Sequence, residues 1–307
     1  MIFLNMSILS KVNKYGGTFL FKSPNTLSYS IFNYLYNKYV VNLDNADDDI
    51  KFFHEQGYLK PNINFNKEVT NLNEKLDENN VINNRSSIEF ILNKESKEIV
   101  RNILKSSKFQ NLKNKIENYF NLKMYLINVL VGRNFPLNKE DEHNVNIYSN
   151  NYHVDYYIMN YFKMFINLHD VDETQGPMNL YSKKNSKKFI NLNNYKDRSN
   201  YDLNNETELG IVKNTGSKGD LFVCSTPQCL HRASSPEIGK KRDMLFLSFA
   251  ATTEINNSNE DLFSFENNYY DDVWSNGSQL RKILCKPKSA RKQFSLLKKF
   301  IKNKIKS

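Results

Sequence analysis

Cysteine is scarce: Cys224, Cys229 and Cys285 are the three in 307 residues. Three thiols cannot build a disulfide framework, and their spacing is not that of a zinc finger. A reducing, cytoplasmic setting fits. Long apolar runs are also missing, and none approaches the ~20 residues of a membrane span. The opening residues, MIFLNMSILSKVNKYGG, put no basic region before a short apolar run and offer no clear cleavage site, so no signal peptide is expected. An internal repeat is absent too. Acidic residues are missing from one place only: residues 281–307 hold 11 Lys or Arg and no Asp or Glu. The net charge of +10 therefore belongs to that tail, because the rest carries 32 basic and 33 acidic side chains. A near-neutral body is not one that tracks a nucleic-acid backbone, so nucleic acid is excluded as a partner.

What is present suits a globular protein. The hydrophobic fraction is 39% and the aromatic fraction 13%, which excludes disorder throughout. The 47 asparagines are scattered and, with the many Lys, Ile, Tyr and Phe, have the look of AT-rich coding, so single Asn or Lys residues carry little weight. The acidic residues near 44–49 predict a helix start, and Gly57 predicts its end. Residues 62–85 read as an Asn-rich loop, and residues 86–121 as helix. From residue 124 the period changes. Strand-like segments are expected at 124–131, 152–157, 162–171, 178–181, 209–212, 220–224 and 244–252, separated by Gly and Pro signals such as Gly176-Pro177 and Gly219. Helices first and short strands later imply a β core with helical decoration.

One short motif carries chemistry. In Tyr152-His153-Val154-Asp155-Tyr156, an extended strand would turn His153 and Asp155 to the same face. Two ligands from one face need a third from elsewhere, and His231 lies at a candidate strand end. Two imidazoles and one carboxylate on one side of an ion leave positions open, as in the facial triad of non-haem iron(II) oxygenases. An HxD pair alone is weak, since an exposed strand with two polar residues explains it. The surroundings add weight. Gly219-Asp220 starts a strand that leads to His231. Arg242 follows eleven residues later, where a guanidinium could grip a carboxylate in a bidentate pair. By position alone, a surface residue in the run 240–242 explains Arg242 equally well.

This order resembles the phytanoyl-CoA dioxygenase-like family of Fe(II)- and 2-oxoglutarate-dependent oxygenases. The helix-and-strand opening at Phe53-His54-Glu55-Gln56-Gly57-Tyr58 is similar to the family's, and so is the strand and turn at residues 163–178. The resemblance covers roughly residues 45–252 and implies a double-stranded β-helix, a jelly-roll of the cupin-like kind. It implies His153, Asp155 and His231 as iron ligands at the catalytic centre, with Arg242 on the distal carboxylate of 2-oxoglutarate. Fe(II), 2-oxoglutarate and O2 are then the cofactors and co-substrates. The reaction implied is hydroxylation of a C–H bond in a small-molecule metabolite with release of succinate and CO2. Asp155 is in place, which points to hydroxylation rather than halogenation. Two departures stand out. Residues 180–186 lack the family's PGSHK-like stretch, and the position of a frequent co-substrate serine holds Ala233, with Ser234 beside it. Lys163 could reach a carboxylate of co-substrate or substrate, although an exposed strand lysine explains it as well. His169 reads as a turn or supporting group, and His143 and His54 as surface residues.

The chain divides into an extension (1–44), the oxygenase domain (45–255), a connecting segment (256–280) and a basic tail (281–307). Within the tail, Phe294, Leu297, Ile301 and Ile305 fall on one helical stripe among lysines. Such a helix can make weak contact with an anionic membrane surface through residues 289–307, or can pack on the body with its lysines solvated. A non-catalytic jelly-roll binding protein is the other reading of the core.

Overall fold

Asp47 opens the first described helix, α1 (Asp48–Gln56), by accepting a hydrogen bond from the Ile50 N–H at 3.0 Å. Gly57 closes it with φ 77° and an N–H bond to the Phe53 carbonyl at 2.8 Å. The computed structural model describes residues 41–44, 46–83, 86–120, 123–137, 151–155, 161–192, 195 and 210–252. Outside them lie the basic tail, the connecting segment (256–280) and all of the extension before residue 41. So do His143, Tyr156, Tyr157 and Cys285.

After α1 come β1 (Tyr58–Leu59), α2 (Asn66–Asn73), β2 (Val81–Asn83), β3 (Ser87–Phe90), α3 (Lys94–Lys105) and α4 (Ser107–Phe120). The strand-rich half holds β4 (Lys123–Asn134), β5 (Tyr161–Asn167), β6 (Met178–Tyr181), α5 (Lys183–Leu192), β7 (Ile211–Lys213), β8 (Leu221–Cys224), β9 (His231–Ala233) and β10 (Arg242–Thr252). Two antiparallel sheets result. The larger has seven strands in the order β1-β8-β5-β10-β4-β3-β2, and the smaller has three, β7-β6-β9. Antiparallel sheet with helical decoration is the architecture expected.

Alternation along the strands gives the large sheet two different faces. One carries Met164, Ile166, Val223, Leu245 and Leu247, which bury against Val69, Val100, Ile103, Phe109 and Ile116 of the helices. Each such side chain contributes on the order of 1.5–3 kcal/mol through burial. The other face carries Phe165, Phe222, Cys224 and Met244, which meet Met178 and Leu180 of the small sheet. The same alternation puts Lys163, Asn167 and Arg242 on this second face. A sheet face that mixes buried aromatics with polar groups is where a site can be built.

Several expectations change. Residues 62–85 are not one loop: they contain α2 and β2, because Val69 and Leu72 bury one stripe of an otherwise polar helix. The helical stretch from residue 86 starts with β3, which pairs with β4. Residues 152–155 form no strand and hold only an isolated bridge at His153. β5 ends at Asn167 rather than at 171. The segment after Tyr181 is helix α5, packed through Phe189 and Ile190.

Candidate metal centre

His153 and His231 are placed by each other's backbone. The His153 N–H donates to the His231 carbonyl at 3.0 Å, and the His231 N–H donates back at 2.9 Å. Directly opposed residues of an antiparallel bridge turn their side chains the same way, and the two rings lie 4.4 Å apart between centroids. The Asp155 N–H then reaches the Thr226 carbonyl at 3.1 Å. One bridge and one further bond thus do what a strand ladder was expected to do. The turn before His231 is anchored at both ends. The Cys229 thiol donates to the Gly57 carbonyl at 3.5 Å, and the Leu230 N–H donates to Ser186 Oγ at 2.8 Å.

Nδ1 of His153 lies 2.7 Å from the Asn151 carbonyl, and Nδ1 of His231 lies 2.9 Å from the Cys229 carbonyl. A carbonyl only accepts, so each Nδ1 carries a proton and turns each Nε2 away from the backbone. Both Nε2 atoms face Asp155, at 3.9 Å from Oδ1 for His153 and 4.0 Å from Oδ2 for His231. The three ligand atoms lie within 4.8 Å of one another, the spacing of groups that can close on a single ion. These two carbonyl anchors were missed in the sequence. Each stands two residues before its histidine, which is the signal that could have revealed them.

Lys163 places Nζ 2.7 Å from Asp155 Oδ2. Burial by itself would raise the Asp155 carboxyl, but Lys163, His231 and His153 outweigh it and hold the group well below the usual carboxylate range. Asp155 is therefore an anion without any metal. Lys163 is part of the site and is not an exposed strand lysine.

Arg242 is the first residue of β10 and is 3% exposed. Its Nε and Nη1 are buried with no hydrogen-bond partner among the described residues. Burial pushes its pKa down to about 10, so it stays charged at neutral pH. A buried cation without a counter-charge is costly, and a bound anion is the usual remedy. The surface reading of Arg242 is thus excluded. Ser234 Oγ is also buried without a partner, and the Ser234 N–H donates to the Pro177 carbonyl at 3.3 Å.

His169 is no ligand. Its Nδ1–H donates to the Asp170 carbonyl at 2.6 Å and its Nε2 accepts from the Asp243 N–H at 2.9 Å, which pins the start of β10 next to Arg242. His54 is not a plain surface residue, since its Nδ1 meets the Tyr119 hydroxyl at 2.8 Å. A cavity of about 420 Å³ lies against Asp243, which points to the opposite face of β10 from Arg242. Of the cations that line it, Arg133 is already held by Asp243 at 2.7 and 2.9 Å and does not call for a ligand.

The donor set of two imidazoles and one carboxylate suits a non-haem iron(II) ion, and the buried guanidinium suits an anionic ligand. No family model matches the chain, and no curated protein matches it. Solved structures do show likeness. EctD from S. alaskensis, with 2-oxoglutarate and 5-hydroxyectoine, is 15% identical over 69% of this chain and 79% of that one, with a TM-score of 0.45. HygX from Streptomyces hygroscopicus, with nickel, 2-oxoglutarate and hygromycin B bound, is 10% identical over 68% and 89%, with a TM-score of 0.47. SnoN, a non-heme alpha-ketoglutarate-dependent epimerase from nogalamycin biosynthesis, is 12% identical over 73% and 87%, with a TM-score of 0.44. At TM-scores below 0.5 these likenesses lend no weight to the chemistry, which stands on the side chains of this chain.

Proposed function

We propose that the protein is an Fe(II)- and 2-oxoglutarate-dependent oxygenase of the phytanoyl-CoA dioxygenase-like kind, built on a double-stranded β-helix core, that hydroxylates a small molecule. The observation that carries this reading is Arg242: a buried, unpaired guanidinium in the same fold as a cluster of two histidines and an aspartate. Metal and dicarboxylate explain both features together, and neither alone does. A non-catalytic binding protein has no need of two imidazole nitrogens turned to one carboxylate.

His153 and His231 would hold the iron through Nε2, which each Nδ1–H, engaged with a carbonyl, turns towards Asp155. Asp155 would supply the third ligand. Lys163 holds one of its oxygens and keeps it ionised, so the carboxylate needs no deprotonation on metal uptake. Arg242 would take the distal carboxylate of 2-oxoglutarate, and Ser234 Oγ is the nearby buried hydroxyl in sequence that can add a donor. When bound, iron with 2-oxoglutarate and O2 supplies the oxidising power to place a hydroxyl on a substrate C–H bond, with succinate and CO2 released.

The test is spectroscopic. Under argon, Fe(II) and 2-oxoglutarate should give a visible charge-transfer band with the wild type and none with His153→Ala. A band of equal strength in His153→Ala overturns the ligand assignment. Succinate released in air, in amounts that follow the band, completes the reading.

A further inference from the structure

A second buried polar group stands beside Arg242. Asn167 ends β5, is 1% exposed, and has neither its amide nitrogen nor its amide oxygen hydrogen-bonded among the described residues. Two unmet groups on one buried side chain are rare in a folded protein and call for a partner. The strand register says where the side chain belongs. Asn167 pairs with Met244, and Met244 lies two residues from Arg242 on β10. Paired residues share a face, and so do residues two apart. Asn167 and Arg242 are therefore diagonal neighbours on the face of the large sheet that meets the small one, with backbones roughly 7–8 Å apart. The strand continues past them, because the Leu168 N–H donates to the Asp243 carbonyl at 3.1 Å. A carboxylate seated on the guanidinium falls within reach of an amide on that neighbour.

We propose that Asn167 is a second ligand of the carboxylate held by Arg242, donating from Nδ2 while Arg242 supplies the charge. This rests on the co-substrate reading above and deepens it. The seat is then shared by two strands, a cation on β10 and a neutral donor on β5. Asn167 Oδ1 is left to accept from a water or a ligand hydroxyl. The ligand class is an anion with a carboxylate remote from its metal-binding end, and Asn167 would favour it over a 2-oxo acid that stops short.

The experiment is calorimetric titration under argon of Fe(II)-loaded protein with 2-oxoglutarate and, separately, with 2-oxobutyrate, which has no distal carboxylate. Asn167→Ala should weaken 2-oxoglutarate on the order of tenfold and leave 2-oxobutyrate unchanged. Asn179, another buried asparagine, faces away from the large sheet because Met178 and Leu180 on either side face towards it, so Asn179→Ala should bind like the wild type. Asn167→Asp adds an independent arm. Its carboxylate would satisfy Arg242 from within, raise the melting temperature of the ligand-free protein and abolish 2-oxoglutarate binding. Unchanged 2-oxoglutarate affinity in Asn167→Ala overturns the proposal and leaves a held water as the role of Asn167. Equal weakening of both ligands also overturns it, as a general packing defect. If the wild type does not bind 2-oxoglutarate, or Arg242→Met binds it as well, the co-substrate reading itself fails and this proposal fails with it.

Discussion

Arg242 is a buried cation and Lys163 a partly buried one, and they differ in what they have. Lys163 already owns a carboxylate, whereas two nitrogens of Arg242 have nothing. Their removal should therefore have opposite effects on the empty protein. Arg242→Met exchanges an uncompensated charge for an apolar chain of similar length, and should stabilise the ligand-free form by about 1–3 kcal/mol while abolishing 2-oxoglutarate binding. Denaturant melts and calorimetry read the two sides; a destabilised empty protein contradicts the idea that the charge is unmet. Lys163→Met does the reverse. It strips the counter-ion from Asp155 and should cost about 1–3 kcal/mol in metal-free protein, with most of the loss recovered when Mn(II) is added. The sign with pH is set by the depressed Asp155 carboxyl. Its stabilising share is present above its unfolded value near pH 4 and is lost only as pH falls through the lower folded value. Between pH 5 and 8, Asp155 should therefore add no pH dependence to metal uptake. If Lys163→Met melts like the wild type without metal, the ion pair contributes little.

Elements matter through what they hold in place. The Asp243 N–H at the head of β10 depends on His169 Nε2 as its acceptor. His169→Ala should cost on the order of 1 kcal/mol and raise KM for 2-oxoglutarate more than it lowers kcat, because it loosens the strand that carries Arg242. An unchanged KM with the same stability loss would make His169 structural only. At α1, a Cβ on Gly57 would stand 2.5 Å from Cys229 Sγ on a backbone with φ 77°. Gly57→Ala should destabilise by more than about 1 kcal/mol, and less so in a Cys229→Ala background, since part of the cost is that clash. Legibility follows the same divide between local and non-local causes. The stop at Gly57 and β6 after Gly176-Pro177 were readable because one or two residues fix them. β3, set by pairing across to β4, was not. The apolar stripe of α2 was hidden by asparagines. The grouping of His153, Asp155 and His231 was readable from spacing and order, although the reason given, a strand at 152–157, gave way at His153 to a single bridge with His231. Asn167 and the true setting of Lys163 needed a register that no local pattern supplies.

For the whole molecule, the near-neutral body and the strongly basic residues 281–307 set different expectations. Among the described residues no helix is long and apolar enough to cross a membrane. Flotation with phosphatidylserine vesicles separates the two readings of the tail: membrane contact through residues 289–307 is lost on truncation after Gln279, whereas a tail packed on the body leaves both forms unfloated and lowers the melting temperature when removed. The unmet charge of Arg242 has a consequence at this scale as well. On the proposed reading, a fold that stores an unsatisfied cation is completed by the dicarboxylate that Arg242 would take. Ligand at a hundred times its Kd would add about 2.7 kcal/mol of stability. In a cell that shifts the fraction of chain exposed to proteases by roughly a hundredfold. The amount of this protein that survives would then follow the supply of a central metabolite, making its lifetime, and not only its turnover, a readout of carbon status.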